Sequence, residues 1–445
     1  MGNAAKFILK CTHCGHVFNS FPEWFGHKQK CPDCGKNRVE AEYSTDYSKL
    51  KDLINAKDRT DNTIWHFFDF LPLNNRENII SSGEGNIGIN HWGFLDEYAK
   101  KAYGIDCKVY VYRNDENYAT HTFKDAGASL AASVLKESDI DKYIVASTGN
   151  VANAFAYYLA KAGISLSAFI PVDALKMNGA GVSYYGQRVF RVNGDYAKAK
   201  GVAADYANKY NILMTGGNTD PLRVEAKRTM VFEWLRKLPE FPTVYVQALS
   251  GGTGPIAIDK AFREINDLGL LKQLPRFLMV QPHRCAPMTE AWERAKKSNF
   301  AEGWESNYPV YNDPYTAVPT LATGNPATYP IIGNLVKKSG GEITSFNEYR
   351  CADVVRLIAY ETQVRIGPAS AIALGGFFDS LKAGNIRNGD VVLVNIGEGI
   401  DRAPEFFEQL IYTEHSVDHV NDCDIFDRRL LRDELWRKLT EGENE

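Results

Sequence analysis

No stretch of this 445-residue chain stays apolar for the roughly 18 residues that a membrane-spanning helix needs, which excludes one. The first residues, MGNAAKFILKCTHCG, lack the apolar stretch and cleavage site of a signal peptide. Gly2 is followed by Lys6 where a myristoylation signal wants Ser or Thr, so lipid anchoring by that route is excluded. An excess of charge of one sign is nearly absent. Lys and Arg number 51 against 55 Asp and Glu, and a net charge of −4 argues against general nucleic-acid binding by the whole chain. Internal repeats and low-complexity segments are missing. Cysteine is sparse, eight in all, and Cys107, Cys285, Cys351 and Cys423 are scattered. Scattered thiols without a signal point to a reducing, cytoplasmic setting.

What the chain has is length. At about 150 residues per domain it allows two or three domains and a large core. Its composition, 44% hydrophobic and 24% charged, is that of an ordinary globular protein. KVYVYR (108–113), YIVAS (143–147), LSAFIPV (166–172), RVFRVNG (188–194), NILMTG (211–216), TVYVQAL (243–249), RFLMVQ (276–281) and DVVLVNIG (390–397) read as strands. Helices are predicted from about Asp125 and over 150–163, 196–210, 223–238, 256–269, 348–363 and 371–384. Residues 41–64 read as a polar connector with a short helix, and residues 426–445 as a charged helix with a frayed end. Short apolar strands alternating with amphipathic helices predict an α/β protein with mostly parallel sheets.

Four cysteines form two pairs, Cys11-Thr-His-Cys14-Gly and Cys31-Pro-Asp-Cys34-Gly, sixteen residues apart. This spacing signals a zinc site. Four thiolates close a tetrahedral shell and leave no open position, so such a zinc is structural. A redox-active pair and a nucleic-acid-binding ribbon compete with that reading. Two pairs at this spacing rarely serve redox chemistry, and no basic stripe with interleaved aromatics supports nucleic acid.

In open α/β sheets ligands bind at the carboxyl ends of strands. Ser147-Thr148-Gly149-Asn150 follows one strand, and Ser250-Gly251-Gly252-Thr253-Gly254-Pro255 another. The second is a glycine-rich helix start, suited to cradling a phosphate on backbone N–H groups. It lacks the ending of a P-loop and the spacing of a Rossmann fingerprint. Lys124 stands between Phe123 and Asp125, in small-residue company. It is either a lysine snorkelling at a helix start or a desolvated amine suited to Schiff-base chemistry. A phosphate cradle together with a placed lysine fits pyridoxal phosphate.

The segment ATHTFKDAGAS resembles the cofactor-lysine motif of fold-type II pyridoxal-phosphate enzymes. The likeness to threonine synthases covers most of the chain: IWHFFDFLPL (64–73), SGEGNIGI (82–89), ASTGNVANAFAYYLAKAG, GNTDPLRVEAKRTMVFE, TLATGNPATYP (320–330), GPASAIALGG (367–376) and LVNIGEGI (393–400). The resemblance implies a tryptophan synthase β-like fold, with two open α/β domains behind an N-terminal zinc ribbon over residues 1–45. The large cofactor domain would hold 46–129 and 226–445, and a smaller mobile domain 130–225. It implies a homodimer, a small amino-acid substrate, and no nucleic-acid or membrane partner. It makes Lys124 the cofactor lysine and the base, with Phe123 near the cofactor plane. Asn150 would bond the ring hydroxyl, although in isolation it reads as a helix cap. Gly251, Gly252, Thr253 and Gly254 would hold the phosphate, and Ser147 and Thr148 the substrate carboxylate.

The chain also departs from the family. Val151 replaces a threonine, Asp220 an asparagine before the Pro-x-Arg segment, and Gly367 a glutamate before PASA. Ile396 replaces the threonine that contacts the pyridine nitrogen, with Asn395 beside it as the candidate partner. An aspartate at 220 would repel a phosphate unless a cation offsets it. Lys176, Arg188 and Arg223 are candidate cations for a phosphate or sulfonate, or plain surface charges. His121 either meets a substrate anion or packs. Three functions follow: a threonine synthase acting on O-phosphohomoserine; a β-replacement enzyme acting on O-phosphoserine or an activated serine, such as a cysteate synthase using sulfite; and a non-catalytic zinc-ribbon module, which the intact lysine and glycine loop oppose.

Overall fold

The computed structural model describes residues 5–56, 59, 61–271, 273–406, 416–423 and 432–441. The chain opens with an antiparallel ribbon of β1 (Phe7–Cys11), β2 (Val17–Phe18) and β3 (Val39–Tyr43), in the order β2-β1-β3. A one-and-a-half-turn helix, α1 (Phe21–Gly26), sits between the cysteine pairs, capped by Ser20. The connector carries α2 (Ser48–Asn55), and Ile64–Phe70 folds as 3₁₀ turns that bury five of their seven side chains.

Next come β4 (Ile89–His91), α3 (Gly93–Tyr103), β5 (Lys108–Arg113) and α4 (Asp125–Glu137). A four-stranded unit follows: β6 (Lys142–Ala146), α5 (Asn150–Ala162), β7 (Ser165–Pro171), α6 (Lys176–Tyr184), β8 (Arg188–Val192), α7 (Tyr196–Tyr210) and β9 (Leu213–Met214). Its strands are parallel in the order β8-β7-β6-β9. After α8 (Pro221–Lys237) the chain returns through β10 (Val244–Ala248), α9 (Thr253–Ile265), β11 (Arg276–Pro282), α10 (Pro287–Lys297), α11 (Tyr329–Ser339), β12 (Glu342–Phe346), α12 (Cys351–Thr362), α13 (Pro368–Lys382) and β13 (Val391–Ile396). These strands join β4 and β5 in a sheet ordered β12-β11-β10-β13-β5-β4, parallel except for the β4–β5 edge. A last helix spans Arg432–Glu441. The rest of the expected tail helix lies outside the described residues.

The alternation read from the sequence is therefore present, and KVYVYR and 196–210 match their elements residue for residue. NILMTG contributes only two strand residues, because Thr215 onward turns into the loop that caps α8. Helices α3, α6, α10 and α11 and strand β12 escaped the pattern reading. Three of them begin with Gly, Pro or an aromatic-Pro pair, and all lean on tertiary burial.

Helix α8 is the girder of the molecule. Every residue from Pro221 to Trp234 is buried, charged ones included, because α4 packs on one side and α9 on the other. Buried charge demands partners. Glu225 accepts from the backbone N–H of Ala41 at 2.9 Å and the Tyr43 hydroxyl at 2.8 Å, and it pairs with Lys260 at 3.0 Å and Arg228 at 3.3 Å. Arg228 and Lys260 both also pair with Glu264. Lys260 donates back to the Ala41 carbonyl at 2.9 Å. The ribbon is thus clamped to α8 and α9 through β3. Its Phe7, Phe18 and Trp24 share one continuous core with α4 and α5, and a fully buried aromatic of this kind contributes about 2–3 kcal/mol relative to exposure. Glu225→Ala leaves two buried cations sharing the single carboxylate of Glu264. It should lower the unfolding free energy by about 3–5 kcal/mol in a denaturant titration, whereas a shift below about 1 kcal/mol would mean the cluster is solvent-screened.

Candidate active site

The carboxyl ends of β6, β9, β10 and β13, the start of α4 and one face of α8 enclose a cavity of about 280 Å³. Lys124, Phe123, Ser147, Thr148, Asn150, Gly251, Gly252, Thr253, Arg223 and Asn395 all line it. Gly254 stands one step behind, where a Cβ would lie 2.2 Å from Gln247 Oε1, and Gln247 lines the cavity itself. Three expected residues are elsewhere. His121 is exposed, with φ +53° and Nδ1 at 3.1 Å from the Asp115 carbonyl, and does not line the cavity. Lys176, at the start of α6, and Arg188, at the exposed start of β8, do not line it either.

Lys124 occupies the position before the first turn of α4, and its backbone N–H donates to Thr122 Oγ1 at 3.1 Å. The preceding segment is tied down by Phe123 N–H to the Gly397 carbonyl at 3.2 Å. The Lys124 ammonium lies 3.5 Å from the centre of the Phe123 ring. Burial and then the Arg223 charge pull its pKa down from 10.5 to about 7, with Glu398 pulling the other way. Lys227, one turn beyond Arg223 on α8, is 1% exposed and lines the same cavity. Its Nζ lies 4.0 Å from the Phe123 ring centre and has no hydrogen-bond partner among the described residues. Burial, Lys124 and Arg223 together hold it well below the usual lysine range.

Neighbouring groups explain the departures. Asp220 points away from the cavity: it caps α8 by accepting from Leu222 N–H at 3.0 Å and clasps the loop by accepting from Gly216 N–H at 2.8 Å and Thr215 Oγ1 at 2.9 Å. It does not line the cavity, and its charge acts on Arg223, which does. Ile396 is fully buried in the core of the large sheet, and its strand neighbour Asn395 faces the cavity, as a two-residue period requires. At Gly367 a Cβ would lie 2.8 Å from Glu398 Cγ and 3.1 Å from its Oε1. A carboxylate from the GEG turn thus fills the space beside the position where the family carries its glutamate. Glu398 is 1% exposed, accepts from Ala369 N–H at 2.9 Å and from Asn150 Nδ2 at 2.5 Å, and burial raises its pKa.

Three asparagines set one another's orientation. Gly85 N–H donates to Asn117 Oδ1 at 3.0 Å, and Asn117 Nδ2 donates to the Thr122 carbonyl at 3.1 Å and the Asn114 carbonyl at 3.0 Å. Backbone groups have fixed polarity, so this amide has one orientation. Its Nδ2 also meets Asn114 Oδ1 at 3.3 Å, which turns Asn114 Nδ2 toward Asn395 Oδ1 at 2.7 Å. The Asn395 N–H groups are left for the cavity.

At the other end of the chain, the Sγ atoms of Cys11, Cys14, Cys31 and Cys34 all lie within 4.8 Å of one another, with Cys11–Cys34 at 3.7 Å and Cys14–Cys31 at 3.5 Å. They are free thiols. A tetrahedral shell of bonds of about 2.3 Å has edges of about 3.8 Å, so this donor set fits one structural zinc.

A family model described as pyridoxal-phosphate dependent enzyme matches residues 94–397. The chain belongs to this family. This pyridoxal-phosphate-dependent enzyme is 24% identical over 398 residues to a threonine synthase of Methanocaldococcus jannaschii, covering 88% of this chain and 92% of the relative. It is 26% identical over 407 residues to a cysteate synthase of Methanothrix thermoacetophila, covering 90% and 92%. The solved structure of processed threonine deaminase isoform 2 from Solanum lycopersicum shares its fold, with a TM-score of 0.58 at 16% identity over 73% of this chain and 82% of that one.

The residues present fit the cofactor of this pyridoxal-phosphate-dependent enzyme. Gly252 has φ +78° and opens α9, whose first N–H groups face the cavity. A Cβ on Gly251 would meet the Asn218 side chain at 1.7 Å, and one on Gly252 would meet Ile332 at 2.3 Å. The loop admits only glycine, as a backbone cradle requires. The orphaned Lys227 supplies a buried cation that lacks an anion. Sequence reading missed Lys227, Glu398 and Asn218. The signal for Lys227 was its helical spacing from Arg223, and for Glu398 a lone carboxylate between two glycines at a strand end. Cofactor uptake should report the depressed amine. Because Lys124 loses its proton near pH 7 rather than 10.5, the rate of growth of cofactor absorbance in the cofactor-free protein should rise through pH 7 and level off about one unit above it. A rate still climbing at pH 10 would mean an ordinary, protonated lysine.

Proposed function

We propose that the chain removes phosphate from an O-phosphorylated amino acid and replaces it, as a threonine synthase does with O-phosphohomoserine and water. The observation that carries this reading is the charge of the cavity: Lys124, Lys200, Arg223 and Lys227 line it against one carboxylate, Glu398. Such a cavity selects a substrate that brings several negative charges. The full-length likeness to threonine synthases and cysteate synthases supports the same chemistry. The second reading, β-replacement on O-phosphoserine by sulfite, is favoured by Val151 on the cavity wall, where threonine synthases carry a hydroxyl.

Gly251, Gly252 and Thr253 would hold the cofactor phosphate, and Lys124 would bond its aldehyde carbon. When bound, pyridoxal phosphate withdraws electrons from the substrate's α carbon and makes its hydrogen acidic. The rest falls to the chain. The neutral Lys124 amine takes a proton from substrate carbon and returns it, a task suited to a pKa near the working pH. Asn395, held by Asn114 and Asn117, presents its N–H groups to the cavity and would donate to an unprotonated ring nitrogen of the cofactor. Ser147, whose Oγ accepts from Gly149 N–H at 3.0 Å, and Thr148 form the α5 N-terminus, where the dipole favours a substrate carboxylate. Arg223, with Nη1 on the Gly217 carbonyl at 2.6 Å, binds the anionic leaving group, and Lys227, beside Lys124 on the Phe123 ring, would face the cofactor end. Glu398 fixes the Asn150 amide, which would bond the cofactor's ring hydroxyl.

Products identified by mass spectrometry decide between the readings. Threonine from O-phosphohomoserine is the expected outcome. Phosphate loss from O-phosphoserine alone, with cysteate formed when sulfite is added, would establish the second. Lys124→Ala should abolish the cofactor's characteristic absorbance, and a persistent band in that variant would overturn the assignment of the cofactor lysine.

A further inference from the structure

The ribbon does more than fold. Asn37, three residues after Cys34, lines the active-site cavity from outside both α/β sheets. Its side chain is exposed at the mouth and makes no hydrogen bond to a described residue. Its backbone neighbours are pinned within the ribbon, Lys36 by its carbonyl to Cys31 N–H at 2.7 Å and Arg38 by its carbonyl to Thr12 N–H at 3.2 Å. The amide is therefore carried on the same knuckles as the four thiols.

Two further contacts fix where those knuckles stand. Lys28 and Gln29 are consecutive non-glycine residues with φ of +52° and +56°, a conformation held only when surroundings impose it. It aims Gln29 Nε2 at the Met214 carbonyl, 2.6 Å away. Met214 leads directly into Thr215 and Gly216, which line the cavity, and Gln29 Oε1 lies 3.5 Å from where a Gly216 Cβ would be. From the other side, β3 is bonded through Ala41 and Tyr43 to Glu225, which sits between Arg223 and Lys227 on α8. The ribbon is thus braced against the loop after β9 and against the helix that bears the buried cations.

We propose that the ribbon is a fixed wall of the substrate cavity and that Asn37 is a specificity-determining residue. Its amide meets the mouth-side end of the bound amino acid, the end remote from Lys124. On the function proposed above, on which this inference rests, that end is the phosphate, an acceptor for the Asn37 N–H groups. Gln29 acts as a positioning residue for the loop opposite.

The test uses the full-length holoenzyme and the change in cofactor absorbance on titration with O-phosphohomoserine, O-phosphoserine and L-serine. Asn37→Ala should raise the half-saturating concentration and KM for the phosphorylated substrate about tenfold, the worth of one hydrogen bond to a charged group. Its midpoint for L-serine, which has no phosphate for Asn37 to meet, should stay within about twofold of wild type. Asn37→Asp should weaken phosphorylated substrates further, in a salt-dependent way. Unchanged midpoints for the phosphorylated substrates in Asn37→Ala would overturn the proposal, as would equal losses for L-serine. If the wild type responds to L-serine but to neither phosphorylated amino acid, the substrate reading fails on its own. The wall then stands or falls on Gln29→Ala, which should speed amide hydrogen exchange in residues 213–218; unaltered exchange there would refute it.

Discussion

Three cations share one water-poor cavity, and that constraint shapes most of what surrounds it. Lys124, Arg223 and Lys227 cannot all carry full charge beside a single carboxylate without a large electrostatic penalty. The protein relieves the conflict by letting the lysines shed protons. Lys124 comes down to about 7, and Lys227 is held well below the usual lysine range, first by burial and then by Lys124 and Arg223. An empty cavity of this kind is poised to take up negative charge. A phosphorylated cofactor and an anionic substrate would both lower its energy, so affinity and reactivity come from the same source.

Helix α8 delivers that charge and also carries the molecule's load. Its cavity face presents Arg223 and Lys227, while Glu225 and Arg228, one residue removed, point to the ribbon and α9. A helix buried from Pro221 to Trp234 has no solvent face to relax into. A disturbance on one side therefore reaches the other through a rigid element rather than through a flexible chain. This is the physical reason that a small cysteine ribbon can bear on a site assembled from distant strands.

Much of the site was legible because its residues cluster in short motifs at strand ends. The lysine after Phe123, the STGN turn and the SGGTGP turn each mark a place where backbone geometry restricts residue choice. Pattern could not show direction. Asp220 looked like a repulsive charge in a phosphate site, yet its three hydrogen bonds turn it into a cap. Ile396 and Asn395 were separable only by which face of β13 meets the core. His121 and Lys176 carry plausible charges but sit where nothing converges on them. The domain edge expected between residues 225 and 226 from family likeness falls inside α8. Asn37 was invisible because nothing local says that a ribbon folds back over a cavity built 180 residues later.

The exchange between Gly367 and Glu398 has a consequence for how such a chain changes over generations. With glutamate at both positions, two carboxylates would compete for one volume, since a side chain at 367 runs straight into Glu398. With glutamate at neither, the Ala369 N–H and the Asn150 amide would lose their acceptor in a buried setting. Either single step passes through a handicapped intermediate. The two positions are therefore coupled by packing, so that a change at Gly367 is tolerated only together with a change at Glu398.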